Sequence, residues 1–157
     1  MPKLIVYMSK HGTTRKVAQA LEAEMGGDTQ VVDLQHDAPP DLDAYEIVVV
    51  GGSIHAGEIQ PKVKRYCLEN EEKLLAKRLG LFICFMDQNR GVEEFVNAFP
   101  EALRLHATAI GLMGGEFLFD QMNFFERVIV RHVAGVKQDQ HLIDDMAIHD
   151  FAQQLCN

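Results

Sequence analysis

The chain has no tryptophan and only three cysteines among its 157 residues. Cys67, Cys84 and Cys156 are odd in number and widely spaced. They form no CxxC pair, no Cys/His zinc spacing and no disulfide framework, which suits a reducing compartment. No run approaches the roughly 18 apolar residues of a membrane-spanning helix. Met-Pro-Lys ahead of Leu-Ile-Val-Tyr-Met leaves no room for a signal peptide's apolar core, so a cytoplasmic chain is expected. Positive charge is also in short supply. Fifteen Lys+Arg against 23 Asp+Glu give a net charge of −8, and an acidic surface of this kind disfavours nucleic-acid binding.

What is present is an alternation of solid apolar runs and helical stripes. The length fits one domain over residues 1–157. Lys3 to Met8, Thr29 to Leu34, Glu46 to Val50, Leu81 to Met86 and Ala107 to Met113 read as strands. Thr13 to Met25 reads as a helix, with Val17, Ala18, Leu21 and Met25 on one stripe and Gly26-Gly27 as its stop. Further helices are expected from Pro61 to about Glu69, on to Lys77 in a short second stretch, from Val92 to Leu105, and from about His141 to Leu155. Gly51-Gly52-Ser53 reads as the close of the third strand. Strands alternating with helices imply right-handed crossovers and a parallel sheet covered on both faces. The fold class is α/β, a three-layer doubly wound five-stranded sheet of order 2-1-3-4-5. Such sheets bind ligands beyond the carboxyl ends of strands 1 and 3, which directs attention to residues 9–14, 51–59 and 86–91.

The first of these loops runs Ser9-Lys10-His11-Gly12-Thr13-Thr14 into the first helix. A turn feeding a helix N-terminus presents unpaired N–H groups and the positive end of the helix dipole. A single hydroxyl there would be read as a helix cap. Three hydroxyls, a glycine and the cations Lys10, His11 and Arg15 favour a phosphate site. The loop is neither GxGxxG nor GxxxxGK[ST], and no acidic pair of the response-regulator kind follows strand 1.

The stretch YMSKHGTTRKVAQAL resembles the [ST]-x-x-G-x-T loop that holds the FMN phosphate in flavodoxins, and the likeness continues through GGSIHAGEIQ. Within that family the chain is similar to the menaquinone-dependent protoporphyrinogen oxidases, through the TRK after the phosphate loop, the GGSIHAG stretch and the segment Asp120–Val136. The resemblance implies non-covalent FMN, with Ser9, Lys10, His11, Gly12, Thr13 and Thr14 around the phosphate. It implies that Ser53, Ile54, His55, Ala56 and Gly57 lie along the isoalloxazine edge. Where those oxidases carry Arg and Tyr this chain offers His55, which leaves an open face on which a substrate can stack. FMN is expected over FAD, because no second Gly-rich loop is present to take an adenylate.

Met86, Asp87 and Asn89 form the third expected wall, with Asp87 or Asn89 on the pyrimidine edge. An Asp after a strand serves equally as a helix cap. Cys84-x5-Arg90 has the bare spacing of a cysteine phosphatase loop, but Cys84 falls inside an apolar strand and reads as a buried thiol.

An apolar insertion at about 116–138 separates the last strand from the final helix and exceeds the usual length of such a connection. It carries Phe117, Phe119, Phe124 and Phe125, with Arg127 and Arg131 one turn apart. Two readings stay open: packing on the core or on a second copy as a homodimer, and contact with a lipophilic quinone or the membrane surface. The resemblance implies an oxidoreductase of heme biosynthesis, passing electrons from a porphyrinogen-like donor through FMN to a quinone at the inner face of a membrane. The alternative is an electron-carrier flavodoxin that docks on a redox protein partner. A flavin-free interaction module is the third reading.

Overall fold

A computed structural model of the chain describes residues 2–87, 89–117, 140–141 and 143–157. The strands are β1 (Lys3–Tyr7), β2 (Thr29–Asp33), β3 (Ile47–His55), β4 (Glu58–Ile59), β5 (Arg78–Cys84), β6 (Ala109–Leu112), β7 (Glu116–Phe117) and β8 (Gln140–His141). The described helices are α1 (Thr13–Met25), α2 (Pro61–Glu69), α3 (Glu71–Leu75), α4 (Gly91–Ala98), α5 (Glu101–His106) and α6 (Asp145–Cys156). The main sheet runs β2-β1-β3-β5-β6, all parallel, with short β4 antiparallel against β3. Leaving β4 aside, this is the expected order 2-1-3-4-5.

The strands are apolar throughout because each face is covered. Leu4, Val6, Val48, Val50, Leu79, Leu81 and Ile83 point into one core, with Val63 of α2, Phe95 of α4 and Leu103 of α5. Ile5, Tyr7, Ile47, Val49, Phe82 and Cys84 point into the other, with Val17 and Leu21 of α1 and Phe151 and Leu155 of α6. The alternation along each strand is the period of two that pleating imposes. Since α1 and α2 lie on opposite faces, a crevice opens between the carboxyl ends of β1 and β3. Among the described residues no helix is long and apolar enough to cross a membrane.

Four element boundaries differ from the sequence reading. β3 does not close at Gly51-Gly52-Ser53 but continues to His55. A Cβ on Gly51 would lie 2.1 Å from the Phe82 ring, and one on Gly52 would lie 2.7 Å from Gln60 Oε1. These glycines serve close packing inside a strand, not a turn. β5 begins at Arg78 and ends at Cys84, because Arg78 pairs with Ile47 at the start of the β3 ladder. The single helix expected over 92–105 is two. Phe99 takes φ −123°, ψ 146°, the extended state that a following proline enforces, and α5 starts afresh after Pro100. The last helix begins at Asp145, where the Asp144 carboxylate accepts from Ala147 N–H at 2.9 Å, an N-cap. The insertion opens and closes on the antiparallel β7–β8 ladder, Glu116 opposite His141 and Phe117 opposite Gln140. Its residues 118–139, including Phe124 and Phe125, lie outside the described residues.

Replacing Gly51 with alanine drives a methyl into fully buried Phe82, which itself packs edge-on against Phe151 at 6.2 Å. We expect Gly51→Ala to lose about 1–3 kcal/mol or more through overpacking. Gly57→Ala, at φ +80° with open space around it, should lose only the ~1–2 kcal/mol of left-handed strain. Urea midpoints at unchanged m-value check both.

Candidate functional site

Residues 8–12 leave β1 and enter α1 at its N-terminus. Gly12 takes φ +97°, and no side chain caps the helix. Gly12 N–H donates to Ser9 Oγ at 2.9 Å, while Lys16 N–H makes the first helical bond to Gly12 C=O at 3.1 Å. The amides before Lys16 therefore precede the ladder and face the loop. Thr14 is wholly buried, yet its Oγ1 has no hydrogen-bond partner. A buried orphan hydroxyl costs about 1–3 kcal/mol unless something fills it. Here it sits in the first turn of an uncapped helix, where an anion's oxygen would satisfy it.

Arg15 does not face the loop alone. Its Nε donates to Tyr7 Oη at 3.4 Å and its Nη2 to Asp33 Oδ2 at 3.5 Å. The Tyr7 hydroxyl first, and Asp33 after it, raise the guanidinium pKa further above its already high ordinary value.

The second wall is a β-hairpin. Ile54 pairs with Ile59 and His55 with Glu58, so Ala56 and Gly57 form a two-residue turn. Both have positive φ, +52° and +80°, as a type I′ turn demands. Ala56 is the sole non-glycine residue with positive φ among the described residues, a strained position that marks the tip.

The two walls are tied together. Gln60 Oε1 accepts from Ser53 N–H at 2.9 Å, and its Nε2 donates to Met8 C=O at 3.2 Å and to Ser53 Oγ at 2.7 Å. Ser53 Oγ also bonds His55 Nε2 at 2.9 Å. His55 and His11 meet edge-on across the crevice, ring centroids 5.8 Å apart.

The third loop, after β5, closes on itself. Asp87 Oδ1 accepts from Asn89 N–H at 3.0 Å and Asp87 C=O from Arg90 N–H at 3.0 Å. The Asp87 carboxylate thus shapes its own turn. Met86 and the Phe85 carbonyl lie against Gly115, where a Cβ would come within 2.6 and 2.8 Å of them. Beyond this loop Glu94 is buried on α4, and its Oε1 is unpartnered. Burial raises its carboxyl pKa above the ordinary 4.5; Arg90 opposes the shift, and Asp87 and Glu93 add to it. One turn on, Asn97 Nδ2 reaches Gly57 C=O at 3.4 Å and Glu58 Oε2 at 3.3 Å, joining α4 to the hairpin.

Ser9–Thr14 and Ser53–Gly57 are thus brought face to face, and Met86, Asp87 and Asn89 stand at the neighbouring strand end. Cys84 ends β5 inside the core, so no phosphatase loop forms around it. Burial pushes the Cys67 thiol up to about 12, which removes it as a thiolate nucleophile. Sequence reading passed over Gln60 and Asn97, and it counted Arg15 as a phosphate-loop cation without its bonds to Tyr7 and Asp33. Only the position of Gln60, just before a helix-starting proline, is a signal, and it suggests a helix start and not a reach back to Met8.

A sequence profile described as "Flavodoxin domain" matches residues 4–144. The chain belongs to the flavodoxin domain family. Its cofactor is accordingly FMN, and the uncapped helix with the orphan Thr14 hydroxyl fits the phosphate end of that molecule. No curated protein matches the chain in sequence. Among solved structures, the WrbA-like flavodoxin of Agrobacterium tumefaciens is 18% identical with TM-score 0.57, over 98% of this chain and 94% of that one. Rubredoxin oxygen:oxidoreductase of Desulfovibrio gigas is 15% identical with TM-score 0.56 over 99% of this chain, which spans only 35% of that one. A Fusobacterium nucleatum flavodoxin mutant bound to flavin mononucleotide is 12% identical with TM-score 0.52, over 99% of this chain and 95% of that one. At such identities the likeness is one of fold.

Thr14→Val removes the orphan hydroxyl while keeping the side chain's shape. The flavin-free protein should gain up to about 1–3 kcal/mol, while FMN binding should weaken by roughly 0.5–3 kcal/mol through the lost hydrogen bond. Urea unfolding without FMN and fluorescence titration with it would reveal the two opposite signs.

Glu94 supplies a pH test. With its folded pKa raised above the unfolded value, the folded state holds the proton more tightly. Stability therefore falls as pH rises from about 4.5 toward the raised value. Glu94→Gln should flatten that slope, measured as urea midpoints of wild type and variant across the window.

Proposed function

We propose that the chain is an FMN-dependent oxidoreductase that passes electrons from a porphyrinogen-like donor to a quinone. The carrying observation is the ring-side wall. The tip Ile54–Gly57 holds no aromatic side chain but His55, and the protein has no tryptophan to supply one. A bulky tetrapyrrole donor can bring its pyrrole rings and bridging carbons against the flavin where other flavodoxin-fold proteins cover their cofactor with aromatic side chains. The insertion supports the same reading. It springs from residues 113–117, beside the third loop, and its sequence is apolar enough to meet a lipophilic quinone or a membrane surface.

FMN supplies the redox chemistry when bound: it takes up an electron pair from one partner and releases it to another. The chain's own residues do the rest. The first turn of α1 and Thr14 hold the phosphate, the hairpin borders the ring, and the open wall admits the donor. Each two-electron, two-proton oxidation of the donor is matched by reduction of one quinone to its quinol. A second reading is an electron carrier that docks on a redox protein, favoured by the net charge of −8, which suits a basic partner.

An absorbance experiment separates the two. The FMN-loaded protein is reduced anaerobically and mixed with a soluble quinone analogue, then supplied with a porphyrinogen. We expect rapid return of the oxidised flavin band and sustained porphyrinogen oxidation. A reduced flavin that persists with quinone and reoxidises only with a redox protein decides for the carrier.

A further inference from the structure

Gln60 lies between β4 and α2, and its main chain and side chain do different work. Its carbonyl accepts from Val63 and Lys64 N–H at 3.0 and 3.2 Å, starting the helix. Its side chain caps nothing. It turns back over Gly52, in the space a Cβ there would need, and reaches Met8, 52 residues away. The amide orientation is dictated by its partners. Ser53 N–H can only donate, so it faces Oε1; Met8 C=O can only accept, so it faces Nε2. Met8 directly precedes Ser9, whose Oγ holds Gly12 N–H. Ser53 leads into the hairpin tip and bonds His55. One neutral side chain therefore spans the two loops between which the cofactor must fit.

We propose that Gln60 is a positioning residue for FMN: its amide sets, in the empty protein, the spacing between the phosphate loop and the hairpin that the cofactor bridges. The inference rests on the assignment of FMN to this crevice. Preorganisation of this kind raises affinity by removing an ordering cost from the binding step. Gln60 need not touch the flavin to do so.

The test uses the whole chain and FMN itself, with dissociation constants from quenching of FMN fluorescence and fold followed by circular dichroism. Gln60→Ala should keep its fold and bind FMN about tenfold more weakly, the loss of one to two net hydrogen bonds. Gln60→Glu carries the sharper signature. At neutral pH its carboxylate can still accept from Ser53 N–H, but it sets negative charge against the Met8 carbonyl and donates to neither former partner. In acid the protonated carboxyl regains one donor. Its deficit relative to wild type at the same pH should therefore shrink as pH falls. Wild-type affinity in Gln60→Ala, or a Gln60→Glu deficit that does not shrink in acid, overturns the proposal. Loss of fold in both variants also overturns it, by assigning Gln60 to structure alone. A wild-type chain that takes up no FMN would instead reject the cofactor assignment, a distinguishable result.

Discussion

The register between β1 and β3 is the constraint from which the site follows. Lys3 pairs with Ile47 and Tyr7 with Gly51, so the two central strands run in step through the core. Met8 N–H then extends the ladder to Gly51 C=O at 3.3 Å. From that point the chains diverge: one turns into α1 on one face, and the other continues through the hairpin toward α2 on the opposite face. A shift of one residue would send Val48 and Val50 to the wrong core and carry Ser53 away from Met8. The register is held by burial on both faces, since Leu4, Ile5, Val48, Val49 and Val50 are all fully buried. The crevice is thus a by-product of packing, and the polar groups that line it inherit their positions from apolar ones.

Within that frame the elements differ in how openly the sequence displays them. Apolar runs such as Ile47–Val50 and Leu81–Cys84 reveal buried parallel strands, because a strand covered on both faces has no use for polar side chains. The turn into α1 was legible from its composition, three hydroxyls and a glycine directly after an apolar run, whereas the burial of Thr14 was not. Nor was the hairpin. Gly51-Gly52 carries the composition of a turn, yet it serves the approach of Phe82 on one side and Gln60 on the other. That reason lies in distant partners and leaves no local trace. Gln60 was hidden in the same way, since its role depends on a contact spanning 52 residues. The break at Phe99-Pro100 was visible in the letters, but the amphipathic stripe on either side of it ran on and concealed it.

The electrostatics of the site follow from the same arrangement. The chain is acidic overall, with a net charge of −8, so a phosphate approaches against the mean field and needs a local positive feature. Arg15 is the obvious cation by position, but its guanidinium also holds Tyr7 and Asp33 and so braces α1 against the ends of β1 and β2. Its pKa, already high, is raised further by those partners, so it remains charged while it does so. In the proposed site, short-range recognition of the phosphate would rest on the uncapped first turn of α1 and the Thr14 hydroxyl. That division has a chemical consequence. Backbone amides and a buried hydroxyl recognise oxygen geometry at close range, whereas exposed cations respond mainly to charge and are screened by salt. A site built in this way should hold a phosphate monoester by its shape, with salt affecting the encounter more than the bound state.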